Sequence, residues 1–138
     1  MRKLAAVLLL VSGLAYADGG KVAVSAGGKC SVALPIDWSA TGAVAQSKDK
    51  KVSVAVSQPK SAASFGDLKA ALKKGVTDAK VVKDSDKELE LEGKAVDGKP
   101  NVTRAVVAAS GVFCAAEARY DGAADVARTI VHSLAAAK

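Results

Sequence analysis

Two cysteines, a single histidine and a run of alternating acidic residues are the parts of this chain whose types could do chemistry. Cys30 and Cys114 could be reactive thiols or a bridge. A redox or nucleophilic thiol needs an activating arrangement such as a Cys-x-x-Cys pair, which the sequence lacks, so the two read as a structural disulfide if the chain folds in an oxidising compartment. His132 is the only imidazole that a Ser-His-Asp system could use. Helical spacing puts it with Asp121, Asp125 and Arg128 on the face opposite Ile130, which predicts a solvated histidine paired with Arg128 or Asp125. Asp84, Asp86 and Glu88 alternate as calcium ligands can. The glycine and the terminal bidentate glutamate of a calcium loop are missing, so a charged turn is expected there. Glu88, Glu90 and Glu92 read as the wet face of one strand. Gly19-Gly20 and Gly27-Gly28 do not stand between a strand and a helix, as a phosphate-binding loop requires. No metal, no cofactor and no enzymatic activity are expected.

The compartment follows from the first residues. Arg2 and Lys3 precede the apolar run Leu4 to Leu14, and Ala15-Tyr16-Ala17 precedes Asp18-Gly19-Gly20. This is the order of a secretory signal peptide, 1–17, cleaved after Ala17. A membrane span needs about 20 apolar residues, more than this run supplies, and no cysteine follows the cleavage site to carry a lipid. Cleavage leaves one domain, 18–138. It reduces 20 basic residues to 18 against 14 acidic ones, and a charge of +6 to +4. The remaining Lys and Arg are scattered and aromatic residues make up only 4% of the chain, so no nucleic-acid surface is expected. The expected location is the periplasm or, failing that, the medium, with no stable membrane anchor.

The elements that must position these residues can be read from periodicity. Lys21 to Ser25 and Lys29 to Leu34 read as strands, the second ended by Pro35. Cys30 shares parity with Val32 and Leu34, and Cys114 with Val112, Ala116 and Ala118, which turns both cysteines toward one core. Gly42 to Ser47 and Lys51 to Ser57 read as a hairpin around Lys48-Asp49-Lys50, with Val52, Val54 and Val56 inward. Ser64 should cap a helix whose stripe is Phe65, Leu68, Leu72 and Val76, with Asp67 completing the cap. Strands follow at Val81-Val82, Glu88 to Glu92, Val102 to Ala109 and Val112 to Tyr120, turning at Asp97-Gly98 and Ser110-Gly111. A last helix, capped by Asp121, should run to Ala137 on the stripe Ala127, Ile130, Val131 and Leu134. The order predicts an α+β fold, an antiparallel sheet packed with two main helices.

Ser31-Val32-Ala33-Leu34-Pro35-Ile36-Asp37-Trp38, the hairpin, Ser64-Phe65-Gly66-Asp67-Leu68 and Ile130-Val131-His132-Ser133-Leu134 occur in an order that resembles the PsbP-like (Mog-type, DcrB-like) α/β/α fold. The resemblance implies an exported or organellar protein that binds partners without catalysis, and it carries over no functional residue set. The expected function is therefore that of a non-enzymatic envelope binding or accessory module for a protein or small ligand. The alternative is a secreted, disulfide-stabilised effector or inhibitor. Trp38, alone of its type, is either a plug for the core or an anchor for a partner. If there is a recognition surface, the sequence points to Pro35, Ile36, Asp37 and Trp38, with Tyr120.

Overall fold

The structure, a computed structural model, describes residues 21–24, 28–60 and 62–136; the expected signal peptide lies outside them. The described elements run β1 (Lys21–Val24), β2 (Cys30–Leu34), β3 (Ser39–Thr41), β4 (Val44–Gln46), β5 (Val52–Ser57), α1 (Phe65–Gly75), β6 (Thr77–Asp84), β7 (Glu88–Lys94), β8 (Pro100–Val107), β9 (Phe113–Tyr120), α2 (Ala124–His132) and β10 (Ala135–Ala136). The strands form two antiparallel sheets, one in the order β3-β4-β5-β9-β8-β7-β6 and a smaller one in the order β1-β2-β10. No described helix is long and apolar enough to cross a membrane.

Strand alternation gives the large sheet two different faces. Cys114, Ala116 and Ala118 of β9 point to one side with Val52, Val54 and Val56 of β5 and Val102 of β8, and the register sets Val54 opposite Ala118 and Val56 opposite Ala116. Onto this face pack Cys30, Val32 and Leu34 of β2 and Ala127, Ile130 and Val131 of α2, all buried. The other face carries Ala105, Ala115, Leu89 and Leu91, covered by Phe65, Leu68 and Val76 from α1 and its exit. One helix thus lies on each side of the sheet, an α+β fold of the class expected. The core consists mainly of valine, leucine and alanine, and each full burial of a Val or Leu side chain contributes about 1.5–3 kcal/mol.

α1 begins where its cap predicts: the Ser64 hydroxyl accepts the Asp67 amide at 3.1 Å. Asp67 in the first turn and Lys73 and Lys74 in the last complement the helix dipole. Val76 then turns extended and crosses β7 at Gly93. A β-carbon at Gly93 would stand 2.5 Å from Val76 Cγ1 and 2.6 Å from the Thr77 carbonyl oxygen, so only glycine admits this crossing.

α2 departs from the sequence reading at both ends. Asp121 does not cap it; its amide extends the sheet by donating to the Lys51 carbonyl at 2.8 Å. Gly122 and Ala123 then take positive φ, and the helix starts at Ala124 with no side-chain cap. At the other end the Ser133 hydroxyl donates to the Ile130 carbonyl and accepts the Ala33 amide at 2.8 Å. That clamp stops the helix at His132 and frees Ala135–Ala136 to pair with Ser31 and Cys30. The short strand β3 also escaped the periodicity, because all three of its residues are exposed and none alternates in burial.

Candidate functional site

The disulfide joins Cys30 of β2 to Cys114 of β9, with Cα atoms 5.6 Å apart, and ties the small sheet to the large one. Both cysteines are fully buried, as their parity predicted. The three glutamates of β7 are not a wet face. Each side chain points under α2 and meets a basic side chain. Glu88 pairs with Arg104 at 2.6 Å and Lys83 at 2.9 Å, Glu90 with His132 at 2.8 Å, and Glu92 with Arg128 at 2.9 Å. His132 is exposed, as expected, but its partner is the buried Glu90, because the helix axis carries residue 132 over β7; Arg128 takes both Asp125 and Glu92. Arg104 Nη1 also donates to the carbonyls of Val131, His132 and Leu134, closing the C-terminal end of α2. Burial opposes the Glu88 charge, but Lys83 and Arg104 outweigh it and hold its pKa low. The hydrogen bonds from Arg128 do the same for Glu92.

Of the surface singled out by aromatic scarcity, Trp38 is the plug and not the anchor. It is 4% exposed and joins the main cluster, where Tyr120 also packs. The turn from the Pro35 carbonyl to the Trp38 amide, 3.1 Å, swings the indole inward and leaves Ile36 and Asp37 on its outside. Pro35 borders a shallow hollow with Val126 and Ile130 of α2. Asp84, at the acidic turn, is saturated by Lys69 at 2.7 Å and Lys73 at 2.9 Å, whose hydrogen bonds lower its pKa. Among the described residues no group of three or more His, Cys, Asp or Glu side chains could hold a metal ion.

The better-built recess lies on the opposite face, beside the end of α1. It measures about 320 Å³. Ala71, Leu72 and Gly75 of the helix form one wall, Ala55, Ser57 and Ala115 the floor, and Thr103, Glu117 and Arg119 the far side. It exists because α1 stops at Gly75 and reaches over β7, β8 and β9 but not over the small residues of β5. Sheet register sets Thr103 opposite Glu117 and Asn101 opposite Arg119. The Asn101 amide nitrogen donates to Glu117 Oε2 at 2.6 Å, Arg119 Nε donates to Glu117 Oε1 at 3.2 Å, and Arg119 Nη1 donates to Asp97 Oδ2 at 3.2 Å. Burial works against the Arg119 charge, but Glu117 and Asp97 prevail and raise its pKa. The Lys99 amide and, after it, Arg119 lower that of Asp97.

One buried polar atom here lacks a partner. Asn101 Oδ1 is fully enclosed and accepts nothing from the described residues. Thr103, 4% exposed, lines the recess. Unsatisfied buried groups cost about 1–3 kcal/mol each, and such a deficit beside a recess marks a place where a ligand can supply the missing bonds. Sequence reasoning missed this site because its residues come from four separated segments. The one available signal was polar residues, Asn101, Thr103, Glu117 and Arg119, at alternate positions of strands otherwise rich in Ala and Val. No known protein family and no curated protein matches the chain.

Proposed function

We propose that the chain is an exported, disulfide-stapled binding module of PsbP-like kind, which holds a small ligand in the recess between α1 and the open half of the sheet without transforming it. The single observation that carries this reading is the recess itself, lined by Thr103, Glu117 and Arg119, with the two charged residues bracing one another. Groups fixed in this way are suited to recognition. The Cys30–Cys114 bridge supports an oxidising destination, and the helix on each face of the sheet supports the family resemblance.

The test is expression of the full chain in a bacterium, recovery of the periplasmic product and titration of that isotope-labelled protein with periplasmic metabolite extract. A mature N-terminus at Asp18, no free thiol, and resonance shifts at Leu72, Thr103 and Glu117 are expected. An uncleaved cytoplasmic product would overturn export, and shifts confined to Ile36 and Val126 would overturn the choice of site. The same bridge, with the exposed Ile36 and Val126, also favours a second reading as a secreted effector or inhibitor. Recovery of the protein from the medium rather than the periplasm would select that reading.

A further inference from the structure

Asp-Gly occurs at Asp18, Asp97 and Asp121, the first outside the described residues. We infer that Asp121-Gly122, between β9 and α2, is a site of spontaneous aspartate isomerisation, and that hydrogen bonds protect the same dipeptide at Asp97-Gly98. The reaction needs no catalyst and no reactant but solvent. The glycine backbone nitrogen attacks the aspartate Cγ, so a C–N bond forms, the Cγ–OH bond breaks, and water departs with that hydroxyl and the amide proton. A second water opens the resulting succinimide. Addition at Cγ restores aspartate, and addition at the main-chain carbonyl carbon gives isoaspartate, whose backbone runs through Cβ and Cγ. Mass is unchanged over the two steps. Glycine favours the attack because it has no β-carbon to crowd the nitrogen and permits wide backbone torsion.

Both described dipeptides are exposed, and they differ in what restrains the reacting atoms. At Asp97 both sides are held. The Gly98 amide donates to the Ala95 carbonyl at 2.9 Å, Asp97 Oδ1 accepts the Lys99 amide at 3.0 Å, and Oδ2 accepts Arg119 Nη1 at 3.2 Å. For nitrogen to reach Cγ, these bonds must be given up. The Lys99 amide and, after it, Arg119 also keep Asp97 ionised, whereas the hydroxyl leaves readily only from the neutral carboxyl. At Asp121 the one bond lies before the reacting pair, from the Asp121 amide to the Lys51 carbonyl at 2.8 Å. The Asp121 carboxylate and the Gly122 amide have no hydrogen-bond partner among the described residues. Gly122 and Ala123 take φ of 77° and 60°, and the chain is in neither strand nor helix until α2 begins at Ala124.

The test incubates the purified disulfide-bonded protein for weeks in warm neutral buffer made with oxygen-18 water. Peptide mass spectrometry with electron-transfer fragmentation locates isoaspartate, and oxygen-18 marks every succinimide that has opened, whichever product results. Label and isoaspartate should accumulate at Asp121 several-fold faster than at Asp97. In concentrated urea with the bridge reduced, where both dipeptides lose their surroundings, the two rates should converge. Arg119→Gln should raise the rate at Asp97 several-fold and leave that at Asp121 unchanged; the comparison within the unaltered chain decides the matter if this variant fails to fold. Equal or faster reaction at Asp97 in the folded protein, or no label at Asp121, would overturn the assignment of the site. A difference that persists in urea, or a rate at Asp97 indifferent to Arg119→Gln, would overturn protection by the hydrogen bonds.

Discussion

The two faces of the large sheet are built from the same strands and treat polar groups in opposite ways. Under α2 and the small sheet, the glutamates of β7 are matched to arginine, lysine and histidine side chains, valines from β5 fill the space, and a disulfide crosses the middle. Under α1 the apolar cover ends partway, and beyond it Asn101 is buried with its Oδ1 unpartnered among the described residues, while Thr103 lines an open recess. Pairing on the first face stabilises the fold; incomplete pairing on the second makes a surface that can gain by binding. A protein of this size, with so few large side chains, can tolerate the second face because the first is closed.

The bridge should show the contrast most strongly. In the chain-entropy account, closing a loop across the 84-residue separation of Cys30 and Cys114 stabilises by about 4–5 kcal/mol, so the Cys30→Ala, Cys114→Ala double variant should lose most of that in denaturant unfolding. A loss under about 1 kcal/mol would mean that the valine core alone closes the first face. Ile130→Ala, from the centre of that core, should cost about 2–5 kcal/mol, and Leu72→Ala, half-exposed at the recess wall, about 1 kcal/mol or less. Equal losses in thermal unfolding would erase the distinction between the faces. Gly93→Ala should cost about 1–3 kcal/mol by overpacking, since one of its two close contacts is with backbone; a neutral result would show that the exit of α1 is free to shift.

Acid should act on the paired face. Glu88 and Glu92 have pKa values depressed below their ordinary 4.5, so the stability they provide is complete above that value and is lost as pH falls through the lower folded values. Both pairs are partly exposed, which limits each contribution to about 0.5–1 kcal/mol. Unfolding free energy measured from pH 6 to pH 2 should therefore decline less steeply in Arg128→Gln than in the unaltered protein. Parallel curves would show that the Glu92 pair contributes nothing.

How much of this was legible in the sequence depended on whether the signal was local. Cys30 and Cys114 declared their inward parity through Val32, Leu34, Ala116 and Ala118, and Ser64 declared its cap through Asp67, because each depends on neighbours within a few residues. Gly98 and Gly111 take the positive φ that their turns required. Glu90 and His132 could not be matched from the sequence, being 42 residues apart, and alternation along β7 says which side chains share a face but not which face a helix will cover. The recess was hidden for the same reason. It is defined by where α1 stops relative to β5, a tertiary distance that no periodicity in either segment encodes.

The small sheet also governs the order in which the chain can mature. Its central strand β2 is near the start of the described chain, while β10, which pairs with it at Ala135–Ser31 and Ala136–Cys30, is at the far end. Loop closure over such a separation is entropically late, and topologies rich in distant pairings fold slowly. Segments synthesised first can pair locally, as β1 does with β2, but the small sheet is completed only when β10 becomes available. With two cysteines only one intramolecular pairing exists, so an oxidant arriving early can speed this closure but cannot misroute it.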